Sequence, residues 1–213
     1  MSLPAIPFYF VRHGETEANV AQQVAGWLDS PLTDKGRQQA KHLASIVSRL
    51  DHKPTKIIHS DLSRAKDTAY AVNAKLDIEI IEDKDLREHN FGVHEGEESW
   101  DPVSNILLAG NIPDQGESYD MFYQRTLSVF SKHISDHLDP ILITAHGGFT
   151  FQIQRMLGQN LNYQSINIVR NCHLHYFEPW PENTNAPWKV YVFDDMNGEV
   201  VKTPADWCPS IVK

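Results

Sequence analysis

The sequence predicts an α/β domain whose central strands run parallel. Two apolar segments, residues 8–11 and 141–145, have the composition of buried strands, and each is closed by a His-Gly pair. Segments with helical periodicity alternate with such strands, as in a sheet covered by crossover helices. A chain of 213 residues without an internal repeat or a linker is usual for one domain, so we expect a single domain over residues 1–213.

The first strand ends in Arg12-His13-Gly14, three residues suited to a ligand. Ligands of open α/β sheets bind beyond the carboxyl ends of the strands. An imidazole can attack phosphorus or shuttle protons near neutral pH, and arginine offers a planar fork of donors to phosphate oxygens. Gly14 would let the backbone approach a ligand closely. The alternative is a strand end with a solvated arginine and histidine.

A loop and a helix follow the first strand. Residues 14–32 contain Gly, Asn and Pro turn signals and are interpreted as a functional loop. Within it, Asn19 either donates its amide to a phosphate oxygen or forms a turn. Thr33 is a suitable N-cap for the next helix. The apolar residues of that helix recur at helical spacing: Ala40, Leu43, Ala44, Val47 and Leu50.

Arg64 lies in the first turn of the helix that follows the second strand, which we predict over residues 56–60. Unpaired N–H groups and the dipole already favour an anion at a helix N-terminus. A cation there is locally unfavourable, which indicates that Arg64 is held for a ligand. The alternative is an exposed arginine paired with Asp61 or Asp67. Residues 78–81 alternate in polarity and predict an edge or half-exposed strand.

Residues 85–92 form a loop that carries both charge signs and contains Glu88. A carboxyl group beside a phosphoryl group holds a proton, because two negative groups repel, and can then act as a general acid. A short helix is predicted over residues 100–109 and a longer one over 117–138. His133 and His137 have the i, i+4 spacing of a metal pair, but no third ligand is evident, so a solvated helix face is favoured.

The second His-Gly strand ends at His146 and leads into Gly147-Gly148 and a helical segment over residues 149–157. Parallel strands would bring His13 and His146 to one rim of the sheet. A buried core histidine is the alternative for either residue alone, but it does not explain the repetition. The chain then turns to β-rich segments over 165–169, 172–177 and 188–193, where structural roles are expected for His173 and His175. After residue 195 no pattern predicts an element.

Composition excludes several classes of function. The formal net charge of −9 argues against nucleic acid or an anionic membrane as a partner. Two cysteines, Cys172 and Cys208, do not make a disulfide framework, and reduced thiols are expected. No leader pattern or membrane-length apolar run is evident, so we expect a cytoplasmic protein.

Ordered motifs carry a resemblance to a known family. They are Arg12-His13-Gly14-Glu15-Thr16 with Asn19, Gly26-Trp27-x-Asp29-x-x-Leu32-x-x-x-Gly36, Ser60-Asp61-Leu62-Ser63-Arg64-Ala65-x-x-Thr68-Ala69, Leu86-Arg87-Glu88-x-x-Phe91-Gly92-x-x-Glu95-Gly96 and Ala145-His146-Gly147-Gly148. This set, spanning residues 8–148 with an echo at 171–172, resembles the signature of the histidine phosphatase superfamily, the group that contains cofactor-dependent phosphoglycerate mutase.

The resemblance implies a fold and a set of site residues. The fold is a phosphoglycerate mutase-like three-layer α/β/α sandwich with a mostly parallel central sheet. His13 would be the nucleophile that forms a phosphohistidine, and Glu88 the general acid, with Glu95 a fallback more readily explained as an ion-pair partner. The remaining site residues implied are Arg12, Arg64 and His146 around the phosphoryl group and Asn19, Gly26 and Gly147 in substrate binding. No metal and no cofactor are expected.

A phosphatase is favoured over a mutase. Family mutases hold a phosphorylated carboxylic acid with basic residues in the insertion after the Glu-Gly motif, whereas no Lys or Arg lies between Glu88 and Gln124. A non-catalytic phosphate-binding module and a metal-dependent hydrolase are further alternatives. His94 departs from the family pattern, in which tryptophan is more frequent, and this leaves the shape of the pocket wall open.

The partner we expect is a small phosphorylated molecule whose leaving group meets the loops around Ala25-Gly26 and residues 97–120. The acidic insertion disfavours highly anionic leaving groups, while the natural substrate and the oligomeric state stay open. Trp180 and Trp188, if exposed, would indicate a contact surface.

Overall fold

One mixed sheet forms the centre of the molecule. The computed structural model describes residues 3–135, 139–158, 169–182 and 188–205. Within them the strands are β1 (Phe8–Arg12), β2 (Lys56–His59), β3 (Glu79–Glu82), β4 (Leu142–Ala145), β5 (Leu174–Pro179), β6 (Trp188–Met196) and β7 (Glu199–Pro204). Their order is β3-β2-β4-β1-β5-β6-β7, and β3, β2, β4 and β1 are parallel, whereas β5, β6 and β7 pair antiparallel. The parallel core confirms the prediction from the two His-Gly strand ends.

Helices cover both faces of the sheet. They are α1 (Glu17–Ala21), α2 (Asp34–Ser48), α3 (Ser63–Leu76), α4 (Asp101–Leu108), α5 (Tyr119–Ser135) and α6 (Gly147–Met156), with short 3₁₀ turns at Lys84–Leu86 and Gly92–His94. The apolar residues of α2 and α3 pack on one face, and those of α5 and α6 pack on the other. The three-layer sandwich is therefore confirmed.

Strand β1 shows why both faces are filled. Successive side chains of a strand point to opposite faces. Phe8 and Phe10 join the cluster under α5 and α6, while Tyr9 and Val11 join the cluster under α2 and α3. The Phe8 ring stacks on Phe177 of β5 with centroids 4.6 Å apart. Burial on both faces produces the continuous apolar run seen in the sequence.

The ends of most predicted elements agree with the structure, with three corrections. The loop 14–32 contains α1, which was not predicted because its five residues depend on a capping box between Thr16 and Asn19. The strand predicted from Cys172 begins at Leu174, because Cys172 lies in a turn with a φ of 56°. Strand β7 was not predicted, since its half-exposed residues lack a clear alternation.

Two side-chain expectations were wrong. His133 does not lie on a solvated face: it is buried and its Nε2 lies 2.8 Å from Asp83 Oδ2, because α5 packs over the turn after β3. Trp188 is buried against Phe8, with ring centroids 6.0 Å apart, so it does not indicate a contact surface.

Residues 165–168 of one predicted strand, together with His137, Leu138 and Cys208, lie outside the described residues. Within the described part of the chain, no helix has the length and apolar character needed to cross a membrane.

Candidate active site

The two His-Gly strand ends meet at one rim of the sheet. Arg12 of β1 is paired in register with Ala145 of β4, so His13 and His146 follow at the same level. Their ring centroids are 5.2 Å apart, and both side chains are buried. The parallel pairing of neighbouring strands thus places two imidazoles where ligands of α/β sheets bind.

His13 is held in the tautomer that a nucleophile needs. Its Nδ1 lies 2.7 Å from the carbonyl oxygen of Gly14. Because a carbonyl can only accept, Nδ1 carries the hydrogen and Nε2 keeps its lone pair. Burial, reinforced by the charges of Arg64 and Arg12, lowers the pKa of His13 well below its ordinary value of 6.5. The imidazole is therefore neutral at neutral pH.

His146 is held in the other tautomer, with its hydrogen on Nε2. Arg64 Nε donates to His146 Nδ1 over 3.2 Å, so the hydrogen of the neutral ring sits on Nε2. That Nε2 is buried and has no hydrogen-bond partner within the described residues. Burial and the charge of Arg64 lower the pKa of His146 well below 6.5. An unpaired buried donor is costly unless a ligand accepts from it.

Two guanidinium groups supply the positive charge of the site. Arg64 is 1% exposed and donates from its terminal nitrogens to the carbonyl oxygens of Leu28 and Gly26, over 3.0 and 2.7 Å. Arg12 donates to Val169 O over 3.2 Å, and its buried Nε has no partner within the described residues. The alternative pairing of Arg64 with Asp61 or Asp67 was wrong, because Asp61 instead binds Arg87.

The backbone around His13 is fixed by close packing. A Cβ at Gly14 would lie 2.6 Å from the carbonyl oxygen of Gly36, so the group that approaches Gly14 closely is α2 and not a ligand, contrary to our prediction. Thr68 Oγ1 accepts from Gly14 N–H at 3.0 Å and donates to Arg64 O at 2.8 Å. This buried hydroxyl couples the His13 loop to α3.

Glu88 is held by backbone N–H groups on both oxygens. Oε2 accepts from Gly148 N at 3.0 Å and Oε1 from His89 N at 2.9 Å. Gly148 is the second residue of α6, so the start of the helix after His146 orients the carboxyl group. A Cβ at Gly148 would lie 2.3 Å from Glu88 Oε1, which explains why a glycine stands there.

The loop that carries Glu88 is tied down from both sides. Arg125 of α5 donates to the carbonyl oxygens of Asp85, Arg87 and Glu88 over 2.8, 2.7 and 3.0 Å. Trp27 Nε1 donates to Glu88 O over 2.7 Å. None of these contacts could be predicted from the sequence, because they join segments up to 61 residues apart.

Glu95 has a structural role, but it binds backbone N–H groups rather than forming the ion pair that was expected. Its Oε1 accepts from the backbone N–H groups of Trp27, at 2.7 Å, and Phe91, at 3.2 Å. Burial raises the pKa of Glu95 from its ordinary value. The contacts hold the Gly26-Trp27 turn against the Glu88 loop.

The predicted site residues gather around one cavity of about 260 Å³. Those that line it are Arg12, His13, Asn19, Gly26, Arg64, Glu88 and Gly147. His146 is not among the residues that line it, but its ring lies next to that of His13, with the centroids 5.2 Å apart. Asn19 caps α1, since its Oδ1 accepts from Thr16 N–H at 3.2 Å. The residue also lines the cavity, and donation of its amide to a phosphate oxygen stays a prediction.

Sequence reasoning placed residues 97–120 beside the leaving group but identified none of the individual residues of the far cavity wall. This wall is built from α4, α5, α6 and the residues around them: His89, Phe91, Trp100, Val103, Ser104, Leu107, Tyr119, Phe122, Phe151 and Gln152. The periodicity of these short segments indicated helices but not which face meets the site. His94 is not part of the wall, since its Nδ1 lies 3.1 Å from Glu97 Oε1 instead.

Two kinds of chemistry have no site in the described residues. No group of three or more His, Cys, Asp or Glu side chains there could hold a metal ion. Cys172 is buried, which raises the pKa of its thiol to about 12, so it is not a reactive thiolate.

Comparison with known proteins identifies the family. The model of the histidine phosphatase superfamily (branch 1) matches residues 8–188. Phosphoglycerate mutase-like protein 4 of Arabidopsis thaliana is 35% identical over 199 residues, covering 88% of this chain and 84% of the relative. Probable phosphoglycerate mutase GpmB of Escherichia coli O1:K1 is 42% identical over 178 residues, covering 78% and 81%.

Solved structures show the same fold. YhfR of Bacillus stearothermophilus superposes with a TM-score of 0.73 at 27% identity, covering 92% of this chain and 98% of that one. A mycobacterial glucosyl-3-phosphoglycerate phosphatase superposes with a TM-score of 0.74 at 24% identity, covering 87% and 97%.

Proposed function

The chain belongs to branch 1 of the histidine phosphatase superfamily, and we propose that it is a phosphomonoesterase that works through a phosphohistidine on His13. The observation that carries the proposal is the state of His13: a buried, neutral imidazole with Nδ1 bound to Gly14 O and Nε2 left as a nucleophile. The same cavity holds two arginines and a carboxyl group.

The first step transfers the phosphoryl group to the protein. His13 Nε2 attacks phosphorus in line, the P–N bond forms, and the ester P–O bond breaks. Glu88 gives its proton to the leaving oxygen. Arg12, Arg64, the His146 Nε2–H and the Gly147 N–H surround the phosphoryl oxygens, and this electrostatic stabilisation is the largest contribution available in phosphoryl transfer.

The second step returns the protein to its starting state. A water molecule attacks the phosphorus, and Glu88, now ionised, takes a proton from it. The P–N bond breaks, inorganic phosphate leaves, and His13 regains its lone pair. No step needs a metal, because the positive charges are side chains.

The cavity supports a phosphatase over a mutase. The wall segment from His89 to Phe122 contributes aromatic, aliphatic and neutral polar side chains and no Lys or Arg, so a substrate carboxylate would have no cation there. A mutase remains the second candidate, because the Arabidopsis and Escherichia relatives carry mutase names. We also expect a small phosphorylated substrate and no nucleic-acid or membrane partner.

Phosphate release from p-nitrophenyl phosphate in EDTA, from acidic to neutral pH, tests the proposal. The wild-type protein should be active, and His13→Ala should lose activity while staying folded. His59→Ala is the matched control, because His59 is a buried histidine at the end of β2 whose Nδ1 lies 2.8 Å from the carbonyl oxygen of Ser60, and it does not line the cavity. Activity lost to the chelator, or kept in His13→Ala, would refute the mechanism.

A separate assay distinguishes the two enzymes. With 3-phosphoglycerate and catalytic 2,3-bisphosphoglycerate, we expect negligible formation of 2-phosphoglycerate. Rapid isomerisation with little phosphate release would establish the mutase instead.

A further inference from the structure

Gln152 of α6 is an unusual member of the cavity wall. It lines the cavity and is 0% exposed, yet neither its Oε1 nor its Nε2 has a hydrogen-bond partner within the described residues. A buried amide without a partner costs free energy, so such a group is expected to find one. The proposed reaction assigns it no role.

The position of Gln152 on α6 places it beside the leaving group of the substrate. It lies four residues after Gly148, whose N–H holds the Glu88 carboxyl group. Residues four apart on a helix lie one above the other, just over one turn or about 6 Å along the axis. Since Glu88 protonates the leaving oxygen in the proposed reaction, Gln152 lies one turn further from the phosphoryl group, beside the rest of the leaving group.

Many of the residues that line the cavity together with Gln152 are apolar or aromatic. The cavity wall includes Val103 and Leu107 of α4 and the rings of Tyr119 and Phe151, whose centroids are 5.6 Å apart. Trp100 packs edge-on against Phe91, with centroids 5.1 Å apart. An apolar wall favours an apolar leaving group. Asn19 and Gln23 also line the cavity, but the Gln152 amide is the one that is buried without a partner within the described residues, and it favours one uncharged hydrogen-bonding group.

We propose that Gln152 is a specificity-determining residue, which pairs with one hydroxyl or carboxamide on an otherwise apolar, ring-containing leaving alcohol. This inference rests on the proposed phosphatase function. An amide can both donate and accept, as can a hydroxyl or carboxamide, whereas an apolar leaving group would bury Gln152 unpaired. The unsatisfied amide should cost about 1–3 kcal/mol, or roughly 5- to 150-fold in kcat/KM.

The experiment compares 2-phenylethyl phosphate, the parent compound, with derivatives that carry one hydroxyl or one carboxamide group on the ring. Each substituent is tested as the ortho, meta and para isomer. The ring substituents are remote from the ester oxygen, so the reacting group is nearly constant across the series. We expect the wild-type protein to prefer at least one isomer over the parent by about tenfold in kcat/KM. In Gln152→Met, a substitution of similar volume, the preference should fall to about onefold.

Thr150→Val is the matched control. Thr150 is a buried residue of the same helix, its Oγ1 also has no hydrogen-bond partner within the described residues, and it does not line the cavity. Folded Thr150→Val should keep the wild-type preference. If Gln152→Met does not fold, Gln152→Leu provides a second test, since an apolar side chain cannot pair with a hydroxyl or a carboxamide and should also abolish the preference.

The outcomes separate this inference from the proposed function. Hydrolysis of the phosphates without a preferred isomer, or with a preference that survives in Gln152→Met, would overturn the role of Gln152 alone. No hydrolysis of any phosphate ester by the wild-type protein would overturn the phosphatase itself.

Discussion

Gly148→Ala should separate the acid role of Glu88 from the nucleophilic role of His13. Gly148 lies in the helix α6, where alanine is conformationally suitable, so the change acts through its Cβ. That Cβ would lie 2.3 Å from Glu88 Oε1, whereas ordinary contacts begin at 3.4 Å, so the carboxyl group must move by about 1.1 Å.

The size of the effect should depend on the leaving group. A misplacement of about 1 Å costs roughly 100-fold when the displaced group takes part in the reaction. For 2-phenylethyl phosphate, whose alkoxide needs a proton, we expect kcat/KM to fall by about 100-fold. For p-nitrophenyl phosphate, whose phenolate is stable without a proton, the fall should stay below about fivefold.

A double-mutant cycle provides the control. In a Glu88→Gln background, Gly148→Ala should add little to the loss for 2-phenylethyl phosphate, because both changes act on the same carboxyl group. Equal losses for the two substrates, or fully additive losses in the cycle, would refute the assignment of Glu88 as the acid.

Two further predictions concern stability. Because the pKa of His13 is lower in the folded than in the unfolded protein, the unfolded state binds more protons, and stability falls as the pH drops below about 6.5. Between pH 6.5 and 5.5, the free energy of unfolding measured in urea should therefore fall by about 1 kcal/mol less in His13→Ala than in the wild type. Equal falls in the two proteins would contradict a buried neutral His13. Arg125→Lys should cost about 2–3 kcal/mol, because three carbonyl groups of the Glu88 loop, two of them partly buried, and Glu117 lose donors. Arg155→Lys, in a more exposed pair with Asp120, should cost less than about 0.5 kcal/mol, and similar costs for the two variants would argue that Arg125 does not hold the loop in place.

The sequence predicted the site best where a functional residue directly follows a strand. The apolar runs before His13 and His146 predicted two parallel strands, and parallel register then determined that both imidazoles share one rim. The roles of the charged residues around the two imidazoles were predicted from the family resemblance. The sequence alone does not show what Arg64 or Glu88 faces in the folded protein.

Contacts between distant segments could not be predicted in this way. Gly14 meets Gly36, and Arg125 meets the Glu88 loop, only because α2 and α5 pack against those loops. Gln152 is one polar residue of a short helix in the sequence, and its burial without a partner appears only when α4, α5 and α6 enclose it.

Trapping the covalent intermediate tests the central claim most directly. Glu88→Gln should still form the phosphoryl enzyme from p-nitrophenyl phosphate, which needs no acid, but should hydrolyse it slowly for lack of a base. Rapid mixing followed by alkaline quench and peptide mass spectrometry should find a burst of nitrophenol of about one per chain and a phosphoryl group on His13. Turnover without a burst, or a phosphoryl group on another residue, would contradict the account.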